Sequence, residues 1–344
     1  NRGIELSLNF DVINKGDFRF NIGAIYNYNR NKLDELPNAD QYLYSSYWGS
    51  SSLVPTNDYM FVEGKAIGLV RGFVSEGFYT VNDFRYENGQ YILKEGIPDI
   101  TKALTATYMH PFNIPNGQTA FPGAAKFRDV NNSGTVDLDD ATCLGEVMPR
   151  HTGSFQLNFN YKNFDLSSNF NWTAGGKVYN VAAMINASGQ EFDGIGAQRT
   201  SWVADTYKVY NVNSSGDLYA VTDPNELNAL NANAKYHLPY HQSGITSSEW
   251  LEDGSYLRLQ TLTLGYTLPH TVLNKIHIEK LRIYLTATNL FTITGYSGID
   301  PEVNATPTGQ SGFYSNLRVF PTLNMDFGTY PRARTFTLGA NITF

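Results

Sequence analysis

Residues 335–344 read Thr-Phe-Thr-Leu-Gly-Ala-Asn-Ile-Thr-Phe, and their period of two constrains the fold more than any other stretch. Phe336, Leu338, Ala340, Ile342 and Phe344 fall on one face of a strand, and Thr335, Thr337, Gly339, Asn341 and Thr343 on the other. A strand that is apolar on one side and small, polar and uncharged on the other fits between lipid and a hydrated barrel lumen. The last strand of a soluble sandwich alternates as well, so the rest of the chain has to decide.

The same pattern returns earlier, in pairs. Ile4, Leu6, Leu8, Phe10 and Val12 alternate with Glu5, Ser7, Asn9 and Asp11, and Gly16 supplies a tight turn. These residues predict strands near 3–13 and 17–30. Phe155, Leu157, Phe159 and Tyr161, then Phe164, Leu166, Phe170 and Trp172, predict strands near 150–161 and 163–175 about Lys162-Asn163. A third hairpin is expected near 255–268 and 281–291, and a last strand near 334–344. In the strand 255–268, simple alternation puts Arg258 and Gln260 on the face of Leu262, Leu264, Tyr266 and Leu268, so those two are expected above the bilayer. Between the hairpins, across 31–149, 175–253 and 292–332, alternation is lost; long irregular connections are expected, with one short helix around Val178–Ile185.

Short turns at one end and long connections at the other are the asymmetry of bacterial outer-membrane barrels, with the long loops extracellular. Connections in compact soluble domains are about 4–6 residues long. The expected fold is therefore all-β: an antiparallel transmembrane β-barrel, of which this chain supplies about seven strands. Seven strands leave two edges that lipid cannot satisfy, so they are expected to belong to a larger barrel.

Composition agrees. Charged residues are 17% and aromatic residues 14% of the chain, a balance that suits a barrel with aromatic girdles. The mean hydropathy of -0.32 is compatible, because a barrel hides its apolar residues at alternate positions. No apolar run reaches the roughly 18 residues of a membrane-spanning helix. A net charge of -7 gives no basic footprint for nucleic acid. Cys143 stands alone, which leaves no intrachain disulfide. The chain opens on Asn1-Arg-Gly-Ile, without Met or a signal peptide, and is expected to be a fragment or a mature cleavage product.

One stretch carries a metal-binding pattern. Asp129, Asn131, Ser133, Thr135, Asp137 and Asp140 occupy positions 1, 3, 5, 7, 9 and 12 of a loop with Gly134 at position 6. This is the EF-hand arrangement, in which a hard cation draws oxygens from one tight loop, with Thr135 giving its carbonyl and Asp140 standing where Glu is usual. A structural Ca2+ is expected at 129–140; an ion-free Asn/Asp/Gly turn of the same shape is the alternative. His237 and His241 flank Pro239, which breaks the helix that would bring the two imidazoles together. No HExxH, GxSxG or phosphate-cradling glycine motif occurs, and no carboxylate pair reads as an acid–base couple, so an enzyme is not expected. Tyr47, Trp48, Trp202 and Trp250 are candidate substrate contacts; they serve equally well to pack the loops.

Several stretches resemble SusC/RagA-type TonB-dependent transporters. They are Glu63–Gly68 with Gly72–Phe78, Lys126–Gly134, Leu251–Pro269, Leu281–Phe291, Gly298–Val303 and Tyr330–Phe336, of which Glu252–Pro269 is the most specific. The resemblance implies the C-terminal part of a barrel of roughly 22 strands plugged by a separate domain. It implies Phe336, Leu338, Ile342 and Phe344 as an assembly signal. It also implies, as partners, the remaining N-terminal barrel and plug, TonB acting through the plug, a SusD-like lipoprotein lid, and outer-membrane lipid. The implied function is import of oligosaccharides or oligopeptides across the bacterial outer membrane. The competing expectation is a calcium-dependent lectin or adhesin built as a soluble sandwich.

Overall fold

The computed structural model describes residues 1–37, 39–46, 53–105, 110–188, 204–238, 244–273, 278–303 and 323–344. Seven strands form the main sheet: Arg2–Lys15 (β1), Phe18–Arg30 (β2), His151–Tyr161 (β3), Phe164–Ala174 (β4), Tyr256–Thr267 (β5), Lys280–Thr294 (β6) and Thr335–Thr343 (β7). Each is antiparallel to the next in chain order, so β1 and β7 are the edges. No helix among the described residues is long and apolar enough to cross a membrane.

The register makes one face continuous. Leu8, Ala24, Phe155 and Phe170 lie in a row across β1–β4, and Leu264, Leu285 and Leu338 lie in a row across β5–β7. Phe20 stacks on Phe159 at 4.1 Å and Phe155 on Phe170 at 4.5 Å, so cross-strand aromatic pairs tie the sheet together on this face. Leu6, Leu8, Phe10, Leu264, Leu285, Phe336 and Leu338 are nevertheless exposed. In a sandwich a second sheet would cover them; here nothing among the described residues does, which is the surface a barrel turns to lipid.

Two bulges correct the simple alternation. In β1 the register shifts between Asp11 and Ile13, so Ile13, not Val12, continues the apolar row opposite Phe20. In β5 it shifts between Leu259 and Thr261. Leu257 and Leu259 then join the apolar face beside Trp172 and Phe170, and Arg258 turns to the polar face opposite Asn171. Arg258 therefore lies on the polar face, not among the apolar neighbours that simple alternation assigns to it. One extra residue re-aims everything upstream of it.

On the polar face, side chains bond one another across strands. Asn21 donates to Asn9 at 2.8 Å, Ser167 to Asn158 at 2.7 Å, and Thr263 pairs with Thr286 at 2.9 Å. Near the short-turn end, Arg282 of β6 reaches over β5 to Asp165 of β4. Gly265 lies beneath that guanidinium and Gly339 beneath the Tyr284 ring; a Cβ at either position would collide with the side chain above it. Two glycines thus let an Arg–Asp pair and a tyrosine lie flat against the wall.

The stretches expected to be irregular are folded. They contain short strands such as Tyr59–Val62, Leu69–Gly72 and Thr142–Glu146, and they enclose hydrophobic cores of their own. One core gathers Phe73, Tyr79, Leu104 and Phe127 from the first long connection with Val221 and Leu227 from the second. A second core joins Tyr59, Val70, Tyr179, Met184, Trp250 and Met325, from all three long connections. The helix expected around Val178–Ile185 begins later, at Val181–Ser188, because Lys177–Asn180 is a strand paired with Leu251–Asp253 and Met325–Asp326. A second helix, Pro224–Leu230, starts at Asp223, whose carboxylate accepts from the Asn225 and Glu226 N–H groups. Loss of alternation signalled compact structure with short elements, where neither period has room to develop.

Candidate functional site

Where the polar face meets the long connections, four charges are packed together. Arg258 is 2% exposed and donates from Nη2 to Asp300 at 2.6 Å, from Nη1 to Glu302 at 3.1 Å and from Nε to Thr292 Oγ1 at 3.1 Å. Arg332 answers the same carboxylates from the other side, at 3.1 Å to Glu302 and 3.5 Å to Asp300. Two positive and two negative charges balance, which a buried cluster requires. The β5 bulge delivers Arg258 inward. Asn289, with φ of 50° in β6, donates to the Ala333 carbonyl at 3.1 Å and draws the chain before β7 against the wall. Glu252 makes a second tie: it accepts from Asn180 and from both the Ser297 N–H and hydroxyl, each at 2.7 Å. Four of the stretches that carry the family resemblance, around 258, 289, 298–303 and 330–334, therefore meet at one place.

Beneath the loops lies a lone acid. Asp58 is 0% exposed, and its carboxylate accepts from the Ser46 N–H at 2.8 Å and from the Ser46 hydroxyl. No cation faces it among the described residues. Burial pushes its pKa up to about 7 against the pull of those hydrogen bonds. Burial and the nearby Asp58 carboxyl together push the Tyr44 hydroxyl up.

The 129–140 loop is held by its own side chains. The two carboxylate oxygens of Asp129 accept from the Ser133 and Gly134 N–H groups at 3.1 and 2.7 Å. Asp140, 0% exposed, accepts from Val130, Asn131 and Asp137 N–H groups at 2.7, 3.2 and 2.8 Å. The Asn131 side chain accepts from the Ser133 N–H, and the Ser133 hydroxyl donates to the Thr135 carbonyl. Thr135–Val136 pairs with Asp99–Ile100 and roots the loop in the lobe that the folded long connections form around their two cores. Among the described residues no three His, Cys, Asp or Glu side chains converge as a metal cage. Both Asp140 oxygens point at backbone, so Asp140 braces the loop from inside.

The candidate aromatics separate. Trp250 is 4% exposed within the second core, where it packs loop against loop. Tyr47, Trp48 and Trp202 lie outside the described residues. His237 is buried with Nε2 3.6 Å from Glu249, and His241 lies outside the described residues. Phe336, Leu338 and Ile342 are exposed on the apolar face of β7, and Phe344 follows it, also exposed.

Arg258 and its partners were missed from sequence, although Asp300, Glu302 and Arg332 sit in stretches already singled out. Their signal was three charges in segments otherwise poor in charge; their pairing needed the bulge.

No family model matches the chain. It is 28% identical over 344 residues to TonB-dependent receptor P3 of Formosa agariphila, covering 100% of this chain and 28% of that protein. It is 24% identical over 351 residues to TonB-dependent receptor SusC of Bacteroides thetaiotaomicron, covering 100% of this chain and 26% of SusC. Among solved structures, the RagAB peptide importer in its closed-closed state superposes with a TM-score of 0.59 at 20% identity, over 99% of this chain and 29% of that one. The chain thus spans less than a third of the length of the relatives it matches. These relatives are receptors and importers, not enzymes.

Proposed function

Because the chain is related over its full length to SusC/RagA-type TonB-dependent receptors, we propose that it forms part of the barrel wall and loop lobe of an outer-membrane nutrient importer. The observation that carries this reading is the uncovered apolar face running across all seven strands, set opposite a hydrogen-bonded polar face. That arrangement belongs between lipid and a wet lumen. The two edge strands then pair with the rest of the barrel, since bare backbone in lipid costs several kcal/mol per group.

In this reading the long connections face outward, a plug closes the lumen, and TonB acts through that plug. A SusD-like lipoprotein sits over the loop lobe, whose cores make it a firm seat. The cargo is an oligosaccharide or oligopeptide, with Tyr47, Trp48 and Trp202 as candidate contacts. Phe336, Leu338, Ile342 and Phe344 supply the assembly signal. Cells carrying the parent protein are expected to accumulate a labelled oligosaccharide or oligopeptide, and to stop when TonB is deleted. Uptake that persists without TonB, or a parent protein that fractionates as soluble, overturns the proposal.

The 129–140 loop is proposed to take Ca2+ through Asp129, Asn131, Ser133, Asp137 and the Thr135 carbonyl, with Asp140 as brace, as the EF-hand spacing supports. Added Ca2+ is then expected to slow amide exchange in residues 129–140, and Asp129→Asn to remove that effect. Asp140→Ala is expected to loosen the loop by about 2 kcal/mol with or without Ca2+, because three N–H groups lose their acceptor. Exchange indifferent to Ca2+ refutes the metal while leaving the brace testable.

A further inference from the structure

The register of β7 on β6 is not fixed by the means that fix the first two hairpins. β1 and β2 are joined by a turn at Gly16, and β3 and β4 by Lys162-Asn163; a tight turn dictates which residues face each other. Between β6 and β7 run residues 295–334, a connection too long to impose a register. Alternation excludes a slip of one residue, which would exchange the two faces, but it tolerates a slip of two. Leu285, opposite Leu338, would then meet Ala340 or Phe336, and Ile283, opposite Ala340, would meet Ile342 or Leu338. The apolar face would keep its character in every case.

One pair does distinguish these registers. Gly339 is the only glycine in β7, and its partner Tyr284 is the only ring among the β6 residues paired with β7. A Cβ at Gly339 would stand 2.5 Å from the Tyr284 hydroxyl and 2.9 Å from Cε1, so the ring lies flat on bare backbone. A slip of two in either direction would put Tyr284 on Asn341 or Thr337, whose side chains fill that space. The ring has no second resting place on β5. Its partner there is Gly265, and the space above Gly265 is taken by the Arg282 guanidinium, which donates from Nε to Asp165 at 2.9 Å. Arg282 Cζ lies 5.0 Å from the centroid of the Tyr284 ring. The Arg–Asp pair thus occupies one side of Tyr284 and leaves the ring the side of β7. Asn289 and Arg332 hold the chain before β7, outside the strand, and Asn289 can bond a carbonyl two residues along equally well.

We propose that Tyr284 and Gly339 set the register of β7, the ring selecting the one position in that strand that has no Cβ. A cross-strand ring covers the backbone that a strand glycine leaves bare, and this pins the two positions to each other. The lock itself depends on the sheet alone. Its consequence rests on the outer-membrane reading: the strand that pairs with the other edge of β7 takes its register from β7, and a slip of two residues would displace that junction by about 7 Å at roughly 3.3 Å per residue.

The test is disulfide formation between β6 and β7 in the full-length parent protein, folded in detergent, with Cys143→Ser as background. Leu285→Cys with Leu338→Cys reports the register described above, and Leu285→Cys with Ala340→Cys the register slipped by two. Directly opposed Cβ atoms approach disulfide distance, whereas diagonal ones stand about 7–8 Å apart. With Tyr284 and Gly339 in place, the 285–338 bridge is expected to exceed the 285–340 bridge by about tenfold. Tyr284→Ser is expected to bring the two within about twofold of each other, and Tyr284→Phe to preserve the preference, because the ring and not the hydroxyl covers Gly339. Moving the glycine, by Gly339→Thr with Asn341→Gly, is expected to reverse the preference toward 285–340. A preference for 285–338 that survives Tyr284→Ser overturns the proposal, as does one that survives the moved glycine; Asn289 and Arg332 would then hold the register. Insertion into phosphatidylcholine vesicles is scored separately. A parent protein that never inserts brings down the importer reading, whereas insertion with an unaltered cross-linking ratio brings down only the lock.

Discussion

Arg258→Ala in the full-length protein is expected to release the chain at 295–303 and 330–334 from the barrel wall, at a cost of about 3–5 kcal/mol. The substitution removes a guanidinium with three acceptors and leaves Asp300, itself buried, facing Glu302 with only the half-exposed Arg332 between them. Breaking a buried ion cluster costs more than the cluster contributes, because the stranded charges cannot reach water. Hydrogen exchange reads the effect directly. Amides in those two segments should exchange faster while β5 and β6 stay protected by their ladders. Arg258→Lys should rescue little, since an ammonium cannot fork to two carboxylates and a hydroxyl at once. Adding Asp300→Asn to Arg258→Met should recover part of the loss by removing one stranded charge. Unchanged exchange in Arg258→Ala would mean that the segments are held by Glu252 and Asn289 instead.

The second large effect depends on pH. The folded Asp58 carboxyl titrates near 7, against about 3.9 for an unfolded aspartate. Between those values the folded lobe binds a proton that the unfolded chain does not, so the stability of the lobe falls as pH rises. The slope is about 1.4 kcal/mol per unit, which sums to roughly 4 kcal/mol between pH 4 and 7 and levels off above. The contribution is fully present below pH 4 and is lost as pH rises through about 7. Asp58→Asn imitates the protonated acid: its amide oxygen accepts from the Ser46 N–H and its NH2 donates to the Ser46 hydroxyl. Exchange at Tyr44–Ser46, corrected for intrinsic rates, should therefore quicken from pH 5 to 8 in wild type and stay level in the variant. At pH 8 the variant should be the better protected of the two. A level wild-type profile would mean that Asp58 is ionised and compensated throughout.

Most of the sheet was legible because side-chain alternation is set by the pleat and needs no distant information. The rows through Leu8, Phe155, Leu264 and Leu338 follow from counting by two. Counting fails at Val12 and Gln260, where a bulge inserts one residue and nothing local announces it; Arg258 was misplaced for that reason alone. The lobe was illegible for a different cause. Its strands are two to five residues long and its cores draw on separate connections, so no window of sequence contains either a period or a core. Trp250 illustrates this: composition offers it for a ligand, and only the meeting of Tyr44, Tyr59 and Met325 around it reveals a packing residue. The EF-hand spacing at 129–140 was plain, but the inward orientation of Asp140 depends on hydrogen bonds that spacing does not encode.

The shared cores of the lobe bear on the order in which the molecule forms. Tyr59 and Tyr179 cannot meet until β3 and β4 lie between their segments, and Met325 joins them only after β5 and β6 are in place. Each closure spans more than a hundred residues, a separation that slows contact formation. Strands and lobe also mature in different solvents, the first in lipid and the second in water. The lobe is therefore a late product of assembly: a barrel with one hairpin misplaced still has strands, but its loops have no common interior to fold around.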